Sequence, residues 1–581
     1  MMTANDYFHD RNVAATVLTL LPGAAWLAWL VCYLGTLLGL GLASLALLVQ
    51  LPETDGTWFR WTRTYMVSAL GAGLFALCHA INMVAASKGV VGAIAASAAA
   101  TTGGLVFLIA ATNLLDLVCL LGRRRFPVRD AILGQSEPVY WPGVCFQIPA
   151  YDEPPELVIQ TIRQLLRQDY PGRWVIQVID NNTPDTFTWH PVRDFCAAHR
   201  VEFMHLEKWP GFKAGALNEG IRRLPHWVEH VAIVDADYLV DPHFLRTVVP
   251  NLKDPLVAYV QTPQSYRGWQ WSRLLTSLFY FYEEYYQARK PARREVNGII
   301  CVGTMAVIRR AAIEAVGLWD ETSCTEDAEV SLRLLGRGWY GLFDHRVKGA
   351  GIMPLDFNSL RKQRFRWALG MMHIFRKHRR LLFAGRSNDY RVTLAQRLSF
   401  WGLSNQYFTE LIPPICTATL LAGLGTLAIE GNVDRATPWL LLPSISLALY
   451  LWTTVARVLL ATRGSTQWFP IVGALVVTLS LSWVTAWACI CGLTSRKVMF
   501  LRTQKAVMQC GCRSALRTAR TETALAIVCA LSTFWSWTHG LILFGVVAGL
   551  LSVVFGSASV VAVAYAWQNA HLEKVDRQPA L

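Results

Sequence analysis

Charge is spread so unevenly along this chain that it constrains the architecture before any motif is read. Residues 12–50 carry no charged side chain, and long uncharged runs occupy 12–122 and 398–567. Residues 123–397 have instead the mixed composition of a soluble α/β enzyme. With 53% hydrophobic and 16% charged residues and a mean hydropathy of +0.31, the chain is too apolar for an ordinary soluble protein. The distribution predicts a polar, cytosol-facing domain set between two blocks of transmembrane helices.

At ~1.5 Å per residue, the 12–50 run is nearly twice the ~30 Å hydrocarbon thickness, so it reads as a hairpin or as one span plus an interfacial piece. Pro22-Gly23 and Gly35 are its turn points. Runs of bilayer length lie at 65–86 and 98–121, giving three or four N-terminal spans. Arg123-Arg124-Arg125 closes the last of them and places the polar stretch on the cytoplasmic side. The net charge of +14 belongs to such loops. Nucleic-acid binding is not expected, because no basic face with interleaved aromatics stands apart from the membrane flanks. The 13 cysteines include the C-x-C pairs Cys489/Cys491 and Cys510/Cys512, which have no histidine partners and read as free thiols. Asp6, Asp10 and Arg11 do not make a basic n-region, so no cleaved signal peptide is expected.

Inside the polar stretch, strand, polar loop and helix repeat in the manner of a doubly wound nucleotide-binding sheet. Cys145–Ile148 leads into Pro149-Ala150-Tyr151-Asp152-Glu153-Pro154, residues 156–168 have helical spacing, and Trp174–Ile179 ends at Asp180. Lys213-Ala214-Gly215 opens a helix, where a lysine among small residues can approach a phosphate. Val231–Val234 reads as a buried strand ending at Asp235-Ala236-Asp237. Two hard carboxylates near a diphosphate suit Mg²⁺ or Mn²⁺, whereas an isolated D-x-D is more often an acidic turn. Ser323 to Glu326 forms the pattern of a capping box, and the same helix start favours the ionised form of Asp327 that a general base needs. Gln363, Arg366 and Trp367, spaced i, i+3, i+4, share one helix face. An arginine for a diphosphate and a tryptophan for a sugar ring belong together chemically. A basic amphipathic helix on the membrane surface is the rival reading, which Arg361, Lys362 and Arg364 also suit.

The second apolar block offers runs near 409–428, 440–461, 469–492, 522–545 and 547–567. Arg496, Lys497, Arg502, Lys505, Arg513, Arg517 and Arg520 crowd one loop before Glu522, which makes it cytoplasmic. Three runs separate that loop from the catalytic stretch, so one of them should not cross. The polar and interfacial content of 469–492 (Ser480, Ser482, Trp483, Thr485, Trp487) selects it as the shallow or re-entrant one. Arg457, near the cytoplasmic end of 440–461, is expected to snorkel.

Taken in order, Pro149–Pro154, Lys213-Ala-Gly215, Asp235-Ala-Asp237, Thr325-Glu326-Asp327 and Gln363-Arg-Phe-Arg-Trp367 resemble the processive family-2 glycosyltransferases of GT-A fold, bacterial cellulose synthases and β-glucan synthases among them. The resemblance implies a membrane-embedded enzyme that transfers a hexose from a UDP-sugar, UDP-glucose first, to a growing polysaccharide with inversion, and passes the product through its own helices. It implies Mg²⁺ or Mn²⁺ on Asp235 and Asp237, and Asp327 as the base with Glu326 beside it. Ala150, Tyr151, Glu153, Asp180, Lys213, Asp235, Gln363 and Arg366 would hold the nucleotide sugar. Trp367, Gly303 and Thr304 would hold the acceptor.

The domain limits that go with it are N-terminal helices over 1–122, the glycosyltransferase domain over 123–355 and interfacial helices over 356–408. C-terminal helices over 409–568 enclose a gating-like loop at 493–521, and 569–581 is a short cytosolic tail. Phe500-Leu-Arg502-Thr503-Gln-Lys505 lies where cellulose synthases carry an F-x-V-T-x-K lid, so Thr503 and Lys505 are expected on the diphosphate. Arg502 in place of the valine turns the expected product from cellulose toward a β-1,3 or mixed β-1,3/1,6 glucan. With about 14 residues after the last apolar run, too few to fold alone, no cyclic-di-GMP-binding PilZ domain is expected in this chain. The lipid bilayer and periplasmic or outer-envelope export factors are the expected partners. A non-processive transferase acting on a lipid carrier, a cellulose or other β-polysaccharide synthase, and a glycan conduit that only binds nucleotide are the alternatives.

Overall fold

The computed structural model describes residues 97, 101–106, 109, 140–290, 293, 297–431, 438–462, 468–495 and 511–576. The expected spans at 12–50 and 65–86, most of 98–121, and the loop carrying Thr503 and Lys505 lie outside them. The chain divides into two compact units, one of Met1–Arg125, Phe408–Ala456 and Thr521–Gly556, the other of Phe126–Tyr407, Arg457–Arg520 and Ser557–Leu581.

The larger unit is built on a seven-stranded sheet. Its strands are β1 (Gly143–Ala150), β2 (Trp174–Asn181), β3 (Glu202–Leu206), β4 (Val228–Ile233), β6 (Val257–Gln261), β8 (Ala306–Arg309) and β9 (Tyr340–Phe343). They lie in the order β3-β2-β1-β4-β8-β6-β9. β1 pairs parallel with both β2 and β4, and seven of its eight residues are buried, as a strand covered on both faces requires. Gln147 and Gln177 are in register at the centre of the sheet, and the buried Gln147 Nε2 donates to Gln177 Oε1 at 2.9 Å, which pairs those two groups. The expected doubly wound half, β3-β2-β1-β4, is present. Beyond it the sheet is mixed, because β8 runs antiparallel to β4 and β6. A small second sheet joins β5 (Leu239–Val240), β10 (Gly349–Gly351) and β7 (Ser265–Tyr266).

Helices α1 (Pro155–Leu165), α2 (Thr186–Ala198) and α3 (Phe212–Arg222) connect the parallel strands. α4 (Arg273–Glu284), α5 (Glu326–Gly336), α6 (Phe357–Lys377) and α7 (Leu394–Phe408) come after them. The expected capping box at Ser323 does not form. The N-cap of α5 is Thr325, whose side chain makes no cap bond, and the Ser323 hydroxyl accepts from the Thr325 N–H at 3.3 Å. The turn before the helix uses the serine locally, so the helix starts two residues later than a capping box needs.

The 469–492 run is two helices, α10 (Phe469–Ser480) and α11 (Ser482–Thr494), separated at Leu481. α10 packs on α4 and α11 on α6, within this one unit. Arg457 does not snorkel to solvent. It is 4% exposed and donates to Glu284 Oε1 at 2.9 Å, an oxygen that also accepts from Arg289 Nε at 2.9 Å. Glu284 therefore supplies a buried counter-charge where water was expected to serve.

The other unit is helical. α8 (Ile412–Glu430), most of α9 (Pro438–Ala461) and of α12 (Arg520–Thr538), and α13 (Ile542–Asp576) as far as Gly556 belong to it. Tyr450 donates to Glu410 Oε2 at 2.8 Å and the Cys416 thiol to the Pro443 carbonyl at 3.2 Å, so these buried polar groups are satisfied internally, as a bilayer favours. The last two apolar runs meet earlier than expected, at a turn through Gly540 instead of near residue 546. Among the described residues, Gln396–Ile429, Phe469–Thr494 and Ile542–Ala570 are long and apolar enough to cross a membrane, and Pro443–Leu459 is a shorter apolar helix.

Candidate active site

The strand ends β1, β2 and β3 are stitched together at one edge of the site. The Asp152 N–H donates to Thr183 Oγ at 2.7 Å, the Thr183 hydroxyl donates to Asp180 Oδ1 at 2.6 Å, and His205 Nδ1 meets Asp180 Oδ2 at 2.6 Å. Trp189 from α2 stacks on the His205 ring, with centroids 4.1 Å apart and planes 14° from parallel. Burial raises the Asp180 pKa above the usual carboxylate value despite these bonds. Ala150 is buried in register with Asp180, Glu153 is partly buried and Tyr151 is 41% exposed. Sequence reasoning missed His205, Trp189 and Thr183. The signal was available for His205, which ends β3 directly beside Asp180.

The D-x-D pair occupies the turn after β4. Tyr238 N–H donates to the Asp235 carbonyl at 3.1 Å, and Asp235 N–H donates to the Thr304 hydroxyl oxygen at 2.9 Å. Asp237 is 3% exposed, and its Oδ2 accepts the Ile352 N–H at 2.8 Å from the residue just after β10. The small sheet therefore aims this carboxylate. Two carboxylates on one turn, one of them oriented by a backbone donor, fit Mg²⁺ or Mn²⁺, which take one or two protein carboxylates and fill the remaining positions with phosphate and water. Among the described residues no cluster of three or more His, Cys, Asp or Glu side chains could hold a metal without such help.

Lys213, in the first turn of α3, donates to Asp235 Oδ1 at 2.7 Å and to the Gly303 carbonyl at 2.8 Å. Burial alone would lower the lysine pKa, but Asp235, then Glu326 and Asp327, hold it above its ordinary value. Gly303 has φ +76°, and a Cβ built there would lie 2.9 Å from Asp327 Oδ2. A side chain at 303 would thus displace Asp327 as well as strain the backbone. One backbone segment in this way separates the lysine from the aspartate. Thr304 is fully buried and spent on the Asp235 N–H, a holding contact and not an open one.

Asp327 Oδ1 accepts the Ala328 N–H at 2.8 Å, and Ser331 donates to the Asp327 carbonyl at 2.6 Å. The helix start was expected to favour the ionised carboxylate; here the balance goes the other way. Burial first, and then the charge of Glu326, push the Asp327 pKa up to about 7, against the pull of the Ala328 N–H, Lys213 and Arg366. A first-turn dipole contributes up to ~1 kcal/mol at an exposed site, less than desolvation at a buried one.

α6 brings the last three residues. Gly370 allows this helix to touch the start of α5, since a Cβ there would lie 2.3 Å from Thr325 Oγ1. His378 Nε2 meets Glu329 Oε1 at 2.8 Å and Lys377 Nζ reaches Asp320 Oδ2 at 2.5 Å, pinning the far end of α6 to α5 and the turn before it. Gln363 Oε1 accepts the Tyr282 hydroxyl at 2.6 Å, and the Trp367 ring meets Tyr282 edge-on at 6.3 Å. Tyr282 was not singled out in the sequence, where it ends an aromatic run that reads as core.

A family model for "Glycosyltransferase like family 2" matches residues 142–370. This stretch is a glycosyltransferase family 2 domain. Glucomannan 4-beta-mannosyltransferase 1 of Oryza sativa subsp. japonica is 31% identical to this chain over 268 residues, 43% of this chain and 49% of that protein. The UDP-forming cellulose synthase catalytic subunit of Pseudomonas fluorescens (strain SBW25) is 28% identical over 326 residues, 52% of this chain and 41% of that one. The chain thus spans half the length of these relatives or less. Among solved structures, a mannosyltransferase of Pyrobaculum calidifontis in complex with GDP-Man and Mn²⁺ superposes with a TM-score of 0.43 at 22% identity, over 62% of this chain and 98% of that one. The family-2 domain runs from the start of β1 to the middle of α6, so every site residue above except the C-terminal pins of α6 lies inside it.

Proposed function

We propose that the protein is a membrane-embedded, inverting, processive glycosyltransferase that builds a β-linked polysaccharide from a nucleoside-diphosphate hexose, UDP-glucose first. The observation that carries this reading is the placement of Lys213 and Asp327 on either side of Gly303, a cation for the leaving diphosphate beside a carboxylate poised to take a proton. Asp327 removes the proton from an acceptor hydroxyl as that oxygen attacks the anomeric carbon. The bond from that carbon to the diphosphate oxygen breaks with its electron pair leaving on the nucleotide, and configuration inverts. Lys213, Arg366 and Gln363 stabilise the departing charge, and Trp367 stacks under the acceptor sugar. Asp235 and Asp237 would hold Mg²⁺ or Mn²⁺, which would supply further positive charge to the diphosphate. General-base catalysis of this kind contributes ~10²–10⁴-fold.

Asp180, with Ala150, Tyr151 and Glu153 near it, is assigned to the nucleoside, and Thr503 and Lys505 to a lid over the diphosphate. The product reading is a β-1,3 or mixed β-1,3/1,6 glucan made in the bacterial inner membrane. The relatives' names favour a second reading, a 4-linked mannan or glucan. Incubating the purified full chain with UDP-glucose or GDP-mannose, with linkage analysis of the product, separates these. Polymer from neither donor, or UDP release unchanged in Asp327→Asn, would overturn the proposal.

A further inference from the structure

The helix α4 carries none of the motifs discussed above, yet its last turn reaches two of the site residues at once. Tyr282 is 5% exposed. Its hydroxyl donates to Gln363 Oε1 at 2.6 Å, and its ring lies against Trp367 at 6.3 Å with planes 76° apart. Tyr266 backs the same ring at 4.6 Å. We propose that Tyr282 is a positioning residue that locks the Gln363 amide with its NH2 end toward the departing diphosphate and squares Trp367 beside it.

The chemistry of the amide carries this assignment. The terminal torsion of a glutamine is broad and nearly two-fold, so nothing in Gln363 itself decides which end faces the ligand. A phenol decides it if it is always a donor. Burial raises the Tyr282 pKa well above its ordinary value, so the proton is present at any working pH. A protonated phenol can also accept, but turning the amide round would take from this buried O–H the acceptor it meets in Gln363 Oε1, so the carbonyl oxygen faces Tyr282 and Nε2 points the other way. That amide end then adds a second donor to Arg366, three residues on along the same helix face. A diphosphate oxygen is the acceptor such a pair suits. A tyrosine that merely fills the core would need neither the short bond to Gln363 nor the edge contact to Trp367.

This inference rests on the nucleotide-sugar reading above, and binding measurements can test it apart from turnover. Magnesium-UDP and magnesium-GDP affinities are measured by calorimetry on the detergent-solubilised full chain, and the tighter nucleotide is carried through a double-mutant cycle. Gln363→Leu should weaken it at least ~10-fold and Tyr282→Phe about three- to tenfold. The double variant should be no weaker than Gln363→Leu within about twofold, because the two losses are one interaction. Losses that multiply, or a Tyr282→Phe protein with wild-type affinity, would overturn the proposal.

Should Tyr282→Phe fail to fold, Gln363→Glu decides. It still accepts from Tyr282 but has no donor to offer, so affinity should fall at least as far as in Gln363→Leu, and wild-type affinity would refute the assigned orientation. A coupling seen only in the acceptor KM would place the amide on the glycan and overturn the diphosphate assignment. Binding of neither nucleotide would remove the function proposed above and this inference with it. Normal binding without transfer would remove only the function.

Discussion

Asp327 sets the pH behaviour of the site. With its pKa pushed up to about 7 by burial and Glu326, the base form is depleted in acid, so kcat/KM should fall below pH 7 with an apparent pKa near that value. The sign for stability is opposite. Between the unfolded value near 3.8 and about 7 the folded state holds a proton that the unfolded chain has lost, so stability falls as pH rises through that window. Asp327→Asn should therefore abolish transfer while stabilising the protein at pH 8 by ~1–4 kcal/mol, read as a higher Tm. A destabilised, inactive variant would mean that Asp327 is a structural acid. Activity should also vanish with excess EDTA and return with Mg²⁺ or Mn²⁺, and Asp237→Asn should cost at least ~10²-fold. Full activity in EDTA would remove the metal role. Trp367→Ala should shorten products far more than it weakens UDP binding, and an equal loss of both would put the ring elsewhere. These residues could be singled out in the sequence because each proposed role needs only its own chemistry and a strand or helix end. Their ionisation was not legible there, since it follows from the burial of Asp327, which lies against Gly303, and from the charge of Glu326.

At the level of elements, the contact between α5 and α6 holds Asp327, the proposed base, and the Gln363–Trp367 face in register. Gly370→Ala places a methyl 2.3 Å from Thr325 Oγ1, so the helices must part or shift. Overpacking of this kind costs ~1–3 kcal/mol, and a displacement approaching 1 Å at the site costs ~10²-fold in rate. Transfer should fall by about that factor and by more than UDP affinity does, because Lys213 and Asp180, which share the proposed hold on the nucleotide with Gln363 and Arg366, sit on other elements. Thr325→Ala in the same protein should restore part of the rate. Wild-type rates in Gly370→Ala would show that this approach does not set the geometry. The shared face of α6 could be read from the i, i+3, i+4 spacing alone. The start of α5 could not, because Ser323 and Thr325 both make plausible N-caps and the close passage of Gly370 is a tertiary fact. Tyr282 escaped for a related reason: an aromatic on an apolar helix looks like core until its hydroxyl is seen to have a partner.

For the whole molecule, the open question is whether Phe469–Thr494 crosses the bilayer. Length and composition allow it. Three features argue that it lies along the catalytic unit. The helix breaks at Leu481, its two halves pack on α4 and α6, and 61% of its most apolar window is buried inside the protein. A lipid-facing span would expose most of its surface to the bilayer. Charge parity gives the same answer under the proposed function, because the cationic stretch from Arg496 to Arg520 then belongs on the same side as a domain fed by cytosolic nucleotide sugars. Both arguments predict two crossings, not three, between Trp367 and Phe500. A cysteine introduced at Ser495, in a background lacking the exposed native thiols, should be labelled by an impermeant maleimide only from the cytoplasmic side of oriented vesicles. Labelling from the opposite side would mean that 469–494 spans the membrane, and Thr503 and Lys505 could then no longer reach a diphosphate at Lys213.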